Sequence, residues 1–549
     1  MFDVLIADGD VYDGTGADPV RADIGVTGDT ITVIAPGLTP DRAPGRSPEA
    51  ARAPGPGTAR TVIDATGKAV CPGFINILSH SPVSILHDPR SLGELTQGVT
   101  TEIFGEGTSM GPLTPALKAE LRNQRQELDY EVAWTRLSEY LAYVERRGTA
   151  QNVASFLGGG TIRINGVGYD DRPATPAELD HMRGIVAEEM ADGALGIASA
   201  LIYPPGSYAG TAELTELCRA AARYDGCYAS HVRGEGAQLH EAVDEFTAIV
   251  REAGLRGEMF HLKASGRPNW DQMDGAIERL ERARAAGLPV TADVYPYTAS
   301  STGLTSIIPD RFHEGGASAL YARLDDPEVR ARIRAELSAS ARWGDPDEAN
   351  NVLILQVTAK ENRQWQGRTL ADVAAARGTG PIDTAMDLIA ADRSRVGVAF
   401  FAMSEENLRK ALARPWVGIS SDGASMAPEG AFLRSPTHPR AYGSFARVLG
   451  HYARDEKVLT LADAIHRMSG LPAGTLGLGQ ARGVLRPGAF ADIVVFDPAT
   501  VADRATFASP HQLSAGVSEV LVNGTLAVRG GTSTGALAGR ALKGPGARQ

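Results

Sequence analysis

Short apolar runs alternate with helical patterns over most of the chain, from Ala69 to about Leu476. In the helical patterns, such as the one at 212–224, apolar residues recur on one face at three- and four-residue spacing. Strands that alternate with helices predict an α/β fold, and eight strands are the number that a closed (β/α)8 barrel needs. The eight predicted strands are Val70–Leu78, Val99–Phe104, Val153–Gly158, Ala194–Ala198, Cys227–His231, Glu258–Leu262, Val290–Val294 and Val417–Ser421.

The two ends of the chain have a different pattern, in which short β runs are separated by turns. Residues 2–34 alternate in this way around Gly-Asp turns, which is typical of hairpins. Gly483–Asp497 and Val517–Arg529 are also strongly β. Because chain termini commonly lie close together, we expect both ends to form one small β-sandwich beside the barrel.

These patterns divide the chain into domains. Residues 35–59 are rich in Pro, Gly, Arg and Ala and are predicted to form a flexible surface loop. The long gap from about 303 to 415 contains more than one βα step, and part of it is expected to be an inserted lid. The predicted boundaries are 1–66 and 479–538 for the two parts of the sandwich, 67–478 for the barrel, around 303–350 for its insertion, and 539–549 for a disordered tail.

Composition and charge exclude several classes of partner. The formal net charge is −12 without any basic run, which argues against nucleic acid and anionic membranes. No stretch approaches the roughly 18 consecutive apolar residues that a membrane span needs, and the N-terminus lacks the pattern of a signal peptide. The three cysteines have no zinc-type spacing and are expected to be buried thiols. We therefore expect a cytoplasmic protein, and the sequence leaves open whether it forms a homo-oligomer.

Two histidines stand where consecutive predicted strands end. His231 closes Cys-Tyr-Ala-Ser-His and His261 closes Glu-Met-Phe-His. The carboxyl ends of barrel strands carry the chemistry of such folds, and imidazole is a common ligand of Zn²⁺. The pair favours a metal site over the alternative of two hydrogen-bonded core histidines.

Other polar residues end further strands and would face the same mouth of the barrel. Asp422 ends Gly-Ile-Ser-Ser-Asp-Gly, where a catalytic base is favoured over a turn former alone. Glu106 lies between two glycines with a clear path into the mouth, its alternative being a solvated loop carboxylate. His80 follows the first strand.

A set of motifs follows in order along nearly the whole chain: Pro72-Gly-Phe-Ile-Asn, Gly98-Val-Thr-Thr, Ser230-His-Val-Arg-Gly-Glu, His261-Leu-Lys-Ala-Ser-Gly, Asp293-Val-Tyr-Pro-Tyr, Ser421-Asp-Gly and Gly483–Phe496. As a set, they resemble the amidohydrolase superfamily and, within it, the N-acyl-D-amino-acid deacylase branch. This resemblance implies a metal-bearing (β/α)8 barrel beside a β-sandwich, which hydrolyses the amide of an N-acylated D-amino acid.

The chain departs from that family at two places. The family usually carries Asp-x-His-x-His after Gly-Phe-Ile, whereas this chain has Asn76 and Leu78 in place of the aspartate and the first histidine. The family also places a metal-ligand cysteine after the second strand, where Glu106 is the candidate substitute. We therefore expect one Zn²⁺ per chain, held by Glu106, His231 and His261. A carboxylated Lys263 is the alternative ligand.

The resemblance also implies a mechanism and a substrate site. Asp422 would take the proton from a water activated by the metal and pass it to the leaving amine. Lys263 would hold the substrate carboxylate together with Tyr203 and Tyr297, and Arg440 would be a second anchor. His438 is a further candidate at the mouth.

Two alternatives to a deacylase of N-acyl-D-amino acids remain open at the level of sequence. The same barrel serves hydrolases of cyclic amides or dipeptides. A barrel that has lost its metal and only binds a ligand is also consistent with the missing first histidine.

Overall fold

The computed structural model describes residues 1–38, 59–123, 130–345, 347–479 and 481–548. Most of the loop predicted at 35–59 lies outside these residues. The strands, in chain order, are β1 (Phe2–Val11), β2 (Val20–Thr27), β3 (Thr30–Ala35), β4 (Ala59–Asp64), β5 (Ala69–Pro72), β6 (Phe74–Asn76), β7 (Val99–Phe104), β8 (Asn152–Ser155), β9 (Leu157–Gly158), β10 (Gly196–Ala200), β11 (Cys227–His231), β12 (Arg256–Met259), β13 (Val290–Val294), β14 (Ser300–Gly303), β15 (Val352–Gln356), β16 (Gly397–Phe400), β17 (Val417–Ile419), β18 (Ile493–Phe496), β19 (Val517–Val522), β20 (Thr525–Arg529) and β21 (Thr532–Ser533).

Helices connect most of the strands in the middle of the chain, so the fold is α/β, as predicted. The α-helices are α1 (Ser84–His87), α2 (Leu92–Leu95), α3 (Pro115–Asn123), α4 (Leu137–Arg147), α5 (Gly159–Gly166), α6 (Pro176–Ala191), α7 (Thr211–Ala222), α8 (Leu239–Ala253), α9 (Gln272–Ala285), α10 (Ala317–Asp325), α11 (Pro327–Ala339), α12 (Leu370–Arg377), α13 (Pro381–Asp392), α14 (Glu405–Leu412), α15 (Arg440–Arg447), α16 (Leu461–Met468) and α17 (Gly470–Thr475). None of the helices in the described ranges is long and apolar enough to cross a membrane.

Parallel strands form the centre of the molecule. One sheet has the order β17-β13-β12-β11-β10-β9 and another the order β6-β7-β8. Each of the eight predicted strands overlaps a strand of these two sheets. Apolar side chains from the strands pack together in an inner cluster that includes Ile75, Leu78, Ile103 and Phe260.

Several of the predicted strands are shorter than expected; the one predicted at Val417–Ser421, for example, ends at Ile419. The run predicted at Val70–Leu78 is divided at Gly73 into β5 and β6, which belong to different sheets. A Cβ at Gly73 would lie only 2.1 Å from Thr100 Oγ1, so the close approach of β7 requires glycine there. The run predicted at Glu258–Leu262 ends at Met259, because the chain turns at His261.

Strands from both ends of the chain join in a single nine-stranded sheet. Its order is β21-β20-β19-β18-β5-β1-β2-β3, with β4 beside β1. The N-terminal and C-terminal halves meet where β18 pairs antiparallel with β5. A separate hydrophobic cluster lies within this terminal sheet and includes Ile24, Ile31 and Ile493.

The segment 300–402 has a small sheet and a core of its own. Strands β14, β16 and β15 pair antiparallel, and α10–α13 pack with them around a cluster that includes Ile333, Ile354 and Val398. The insertion predicted around 303–350 lies within this segment. Strands β15 and β16 lie in the long gap from about 303 to 415.

The disordered tail predicted for 539–549 is wrong for the residues described up to 548. Ala541 forms a parallel bridge with Val153, and Leu542 N–H donates to the Val153 carbonyl at 2.8 Å. Arg548 N–H donates to the Ala191 carbonyl at 2.9 Å. The tail is ordered mainly by backbone hydrogen bonds, which its Gly- and Ala-rich sequence does not reveal. The three cysteines are free and buried, as expected.

Candidate active site

The carboxylate and the two histidines expected to bind metal lie together at the carboxyl ends of the parallel strands. Glu106 follows β7, His231 ends β11 and His261 lies just after β12. Glu106 Oε1 is 3.1 Å from His231 Nδ1 and 3.2 Å from His261 Nε2. One carboxylate oxygen and two imidazole nitrogens therefore converge on one point, as the ligands of a zinc ion do.

Asp422 and His80 lie on the other side of Glu106. His80 Nε2 is 3.0 Å from Glu106 Oε2 and 2.9 Å from Asp422 Oδ1. The second oxygen of Asp422 accepts a hydrogen bond from Arg440 at 2.6 Å. His80 thus links the expected metal ligand to the expected base, a contact that the sequence alone did not predict.

The backbone at two of these residues lies in the left-handed region. His261 has φ +38° and Asp422 has φ +47°, which costs a residue other than glycine about 1–3 kcal/mol. Hydrogen bonds hold both turns: His261 N–H donates to Asp293 Oδ1 at 3.1 Å, and Asp422 N–H donates to the Leu78 carbonyl at 3.0 Å. Asp293 belongs to the Asp-Val-Tyr-Pro-Tyr motif, and this contact gives it a positioning role.

Glu235 is a site residue that the sequence analysis missed. Its Oε1 lies 3.3 Å from His231 Nε2, 3.2 Å from His261 Nδ1 and 2.5 Å from Lys263 Nζ. The carboxylate thus faces the sides of both imidazoles that point away from Glu106. The available signal was its place in Ser230-His-Val-Arg-Gly-Glu, four residues after His231.

The ammonium of Lys263 is occupied by protein groups. It donates to Glu235 at 2.5 Å and lies 2.7 Å from His261 Nδ1 and 3.3 Å from the His261 carbonyl. An ammonium has three N–H donors, and Glu235 and the His261 carbonyl accept from two of them. Lys263 reaches His261 because the chain turns at His261, which has a left-handed backbone.

The charges around the two histidines attract a cation. Burial alone would raise the pKa of Glu106, but His231, His261 and His80 lower it well below its usual value. Burial and the Lys263 ammonium oppose protonation of His261, yet Glu106 and Glu235 raise its pKa to about 10. Carboxylates thus draw positive charge into the space between the imidazoles, a position that a Zn²⁺ ion fits. His231 Nε2 is buried and faces Glu235 Oε1 at 3.3 Å, without the geometry of a hydrogen bond.

Asp422 is held in its ionised form. Burial opposes ionisation, but Arg440 and His80 together lower its pKa to about 2. The carboxylate can therefore accept a proton across the physiological pH range, as a general base must.

The two tyrosines expected to bind substrate differ in placement. The Tyr203 ring lies 5.6 Å from the His231 ring, inside the site. The hydroxyl of Tyr297 lies near Gly443 and Asp503, and its role in substrate binding stays a prediction. Tyr295, two residues earlier, has its ring 6.3 Å from that of His261.

A tight turn explains why Tyr295 and Tyr297 have different surroundings. Tyr297 N–H donates to the Tyr295 carbonyl at 2.9 Å, so the chain turns at Pro296 as soon as β13 has ended. The two tyrosines therefore do not share a face, as alternate residues of a strand would.

Arg440 reaches the site as predicted, whereas His438 does not. Arg440 lies 4.8 Å above the Tyr295 ring and also donates to the Ser301 carbonyl at 3.1 Å. His438 is buried between the Ala299 carbonyl, 2.9 Å from its Nε2, and the N–H of Arg440, which donates to its Nδ1 at 3.0 Å. His438 therefore supports Arg440 from behind and does not face the mouth.

A family model with the description "Amidohydrolase family" matches residues 61–528. The chain belongs to the amidohydrolase family. This amidohydrolase is 34% identical to the D-aminoacylase of Alcaligenes xylosoxydans xylosoxydans, over 98% of its own chain and 97% of that relative.

Solved structures agree with this assignment. The N-acyl-D-glutamate deacylase of Bordetella bronchiseptica, complexed with zinc and a phosphonate mimic of the tetrahedral intermediate, matches with a TM-score of 0.80 and 31% identity over 99% of each chain. A D-aminoacylase, described as having a binuclear metal centre with one-metal activation and second-metal attenuation, matches with a TM-score of 0.79 and 31% identity over 99% of this chain and 100% of that one. The α/β fold of this amidohydrolase is therefore that of the D-aminoacylases.

One expected departure from the family concerns the first strand. Leu78, at the position where the resemblance implies a histidine, is 2% exposed and packs in the inner cluster. It offers no ligand atom. A second group of three possible ligands, His80, Glu106 and Asp422, shares Glu106 with the first group.

Proposed function

We propose that this amidohydrolase is a zinc-dependent hydrolase that cleaves the amide of N-acyl-D-amino acids to a carboxylate and a free D-amino acid. The observation that carries the proposal is the convergence of Glu106, His231 and His261, with Asp422 across the same opening. The similarity to D-aminoacylase along nearly the whole chain supports the substrate class. The proposed architecture is a (β/α)8 barrel with a β-sandwich built from both chain ends.

Closure of the barrel is supported by the contacts at the two seams of the parallel sheets. Strand β8 continues into β9 through Phe156, and Ser79 forms a parallel bridge with Gly423. The proposed sandwich is the terminal sheet around its own cluster, and the proposed insertion is the segment 300–402.

We propose one zinc ion per chain, bound by Glu106, His231 and His261. Such an ion supplies a bound water of lowered pKa, from ~15.7 toward ~7, and polarises the acyl carbonyl. Glu235 faces the outer nitrogens of both imidazoles and keeps the rings oriented, as carboxylates beside metal-binding histidines do.

Asp422 moves the proton in the proposed reaction. Its carboxylate accepts a proton from the attacking water at Oδ1 or Oδ2 and returns it to the leaving amine nitrogen. His80 on one oxygen and Arg440 on the other fix the direction of the carboxylate.

Arg440 is the proposed anchor of the substrate carboxylate. A guanidinium carries five N–H donors, and the structure uses two nitrogens of Arg440, for Asp422 and for the Ser301 carbonyl. Tyr203 and Tyr295 line the space beside it. Lys263, the anchor expected from the sequence, instead places a positive charge beside His261 and holds Glu235 through a hydrogen bond from its ammonium.

A substrate screen combined with elemental analysis tests this function. We expect about one zinc per chain and hydrolysis of N-acetyl-D-amino acids, with little activity on the L-enantiomers. Hydrolysis of cyclic amides or dipeptides alone would contradict the substrate class. Absence of both metal and hydrolysis would leave a protein that only binds a ligand.

The roles of Arg440 and Lys263 can be separated with paired substrates. We expect Arg440→Met to lower kcat/KM for an N-acetyl-D-amino acid about 10-fold more than for its amide, because a charge-assisted hydrogen bond contributes about 1.5–3 kcal/mol. Lys263→Met should lower kcat/KM for both substrates alike, because its ammonium contacts Glu235 and His261. The opposite result would identify Lys263 as the anchor of the substrate carboxylate. In that case Lys263→Met, and not Arg440→Met, would lower kcat/KM more for the N-acetyl-D-amino acid than for its amide.

A further inference from the structure

The residues around Asp422 are held by an unusual set of hydrogen bonds. Ser421 N–H donates to Asn76 Oδ1 at 3.0 Å, and Gly423 N–H donates to Ser421 Oγ at 3.1 Å. With the bond from Asp422 N–H to the Leu78 carbonyl, all three successive N–H groups are bound. Two of the three bonds depend on the side chains of Asn76 and Ser421.

Glu94 holds both of those side chains. It lies on the short helix α2 and is fully buried. Its Oε1 accepts from Asn76 Nδ2 and from Ser421 Oγ, each at 2.7 Å. Its own N–H donates to Ser425 Oγ at 3.1 Å. Glu94 therefore clamps the loop on both sides of Asp422 without contacting Asp422.

The other oxygen of Glu94 has no partner. Oε2 is buried and accepts no hydrogen bond from any residue in the described ranges. A buried polar atom without a partner lowers stability, and an apolar side chain of similar size would avoid that loss. A leucine at this position would avoid the unpaired oxygen but would lose the two hydrogen bonds that Oε1 accepts.

Asn76 and Glu94 are matched to each other. An ionised aspartate at position 76 would offer Glu94 no hydrogen-bond donor. The amide of Asn76 instead donates to Glu94 and accepts from Ser421 N–H. Asparagine at 76 and glutamate at 94 thus form one unit that acts on the loop.

We propose that Glu94 is a positioning residue for catalysis, which acts through Asn76 and Ser421 to hold the left-handed turn that aims the Asp422 carboxylate at the reacting water. The proposal rests on the role of Asp422 given above. Glu94 contacts none of the proposed metal ligands, and its hydrogen bonds to Asn76 and Ser421 connect it to the backbone at 421–423.

A glutamine at position 94 would keep the contacts of this role. Burial, and then the charge of nearby Glu102, raise the pKa of Glu94 well above the usual value. The glutamine amide also offers one oxygen to Asn76 and Ser421. Glutamine should therefore substitute for Glu94, whereas leucine should not.

Three variants of the full-length zinc-loaded enzyme test the proposal. We expect Glu94→Leu to lower kcat roughly 10- to 100-fold, the scale of a small misplacement of a catalytic group, while KM and zinc content stay near wild type. Glu94→Gln should recover most of the turnover. Ser421→Ala, a smaller change that should fold even if Glu94→Leu does not, should lower kcat to a similar extent.

Non-additivity and a matched control make the test specific. The double variant Glu94→Leu/Ser421→Ala should have a kcat little lower than that of either single variant, because both substitutions break the same hydrogen bond between Glu94 and Ser421. Glu189→Leu removes another buried carboxylate, on α6 beside Leu137, and should lower the melting temperature without lowering kcat.

Two results would overturn the positioning role. One is wild-type kcat in folded Glu94→Leu and Ser421→Ala, beside an inactive Asp422→Asn enzyme. The other is a loss in Glu94→Gln as large as that in Glu94→Leu. An Asp422→Asn enzyme with normal turnover would instead refute the role of Asp422 itself, and with it the basis of this inference.

Discussion

Asp422→Asn should lower kcat by roughly 100-fold or more, the scale of a lost general acid–base group, while zinc content stays near normal. The amide keeps the shape of the side chain and can still accept from Arg440, but it cannot take a proton from water. Asp422 is held ionised by Arg440 and His80, and the other site carboxylates, Glu106 and Glu235, face the histidines. No further carboxylate of the described site is placed to replace it.

Steady-state kinetics on an N-acetyl-D-amino acid, with zinc measured in the same samples, would check this result. Asp325→Asn is a suitable control, because Asp325 is an exposed partner of Arg393 in the segment 300–402. Most of the turnover remaining in Asp422→Asn would remove this residue from the proposed mechanism.

His231→Ala should abolish both zinc binding and activity. His231 Nδ1 is one of only two imidazole nitrogens that converge on Glu106 Oε1, and a zinc site with two protein ligands left holds metal weakly. Treatment with a chelator should remove zinc and activity from the wild-type enzyme as well. Added zinc should then restore the activity of the wild-type enzyme but not that of His231→Ala.

Elemental analysis and activity assays of His231→Ala and His240→Ala would check this expectation. His240 is the matched control, since it lies on α8 and its Nε2 is 2.9 Å from the Gln272 carbonyl, outside the site. Full zinc content in active His231→Ala would contradict the ligand set. Two metals at full occupancy in an active wild-type enzyme would contradict the single-zinc proposal and point to His80, Glu106 and Asp422 as a second site.

The residues that the sequence located correctly share one property. Glu106, His231, His261 and Asp422 each lie at or within three residues of the end of a predicted parallel strand. Hydrophobic periodicity locates strand ends, and the topology brings those ends together, so the four side chains could be expected to meet.

The residues that the sequence missed or misplaced depend on turns. Glu235 reaches His231 across a loop. Tyr295 and Tyr297 have different surroundings because the chain turns at Pro296. Lys263 meets Glu235 through the left-handed turn at His261. Periodicity does not specify the backbone angles of such turns, which long-range contacts, such as that of Asp293 with His261 N–H, determine.

The sequence failed to predict the full length of the insertion and the order of the tail for a related reason. The segment 300–402 is defined by pairing of β14 with β16 across nearly a hundred residues. The tail pairs by backbone with Val153, almost four hundred residues earlier. Contacts between distant segments of backbone leave little trace in local composition.

The pairing of β5 with β18 has a consequence for synthesis of the protein. Pro72 pairs with Ile493, so 420 residues are translated between the two partners. At about 5–20 residues per second, β5 waits roughly 20–80 s on the ribosome before its neighbour emerges. One edge of that strand stays open to other chains in the meantime. Nascent-chain chaperones or slow, dilute expression should therefore improve the yield of this enzyme more than they would for a fold whose sheets close locally.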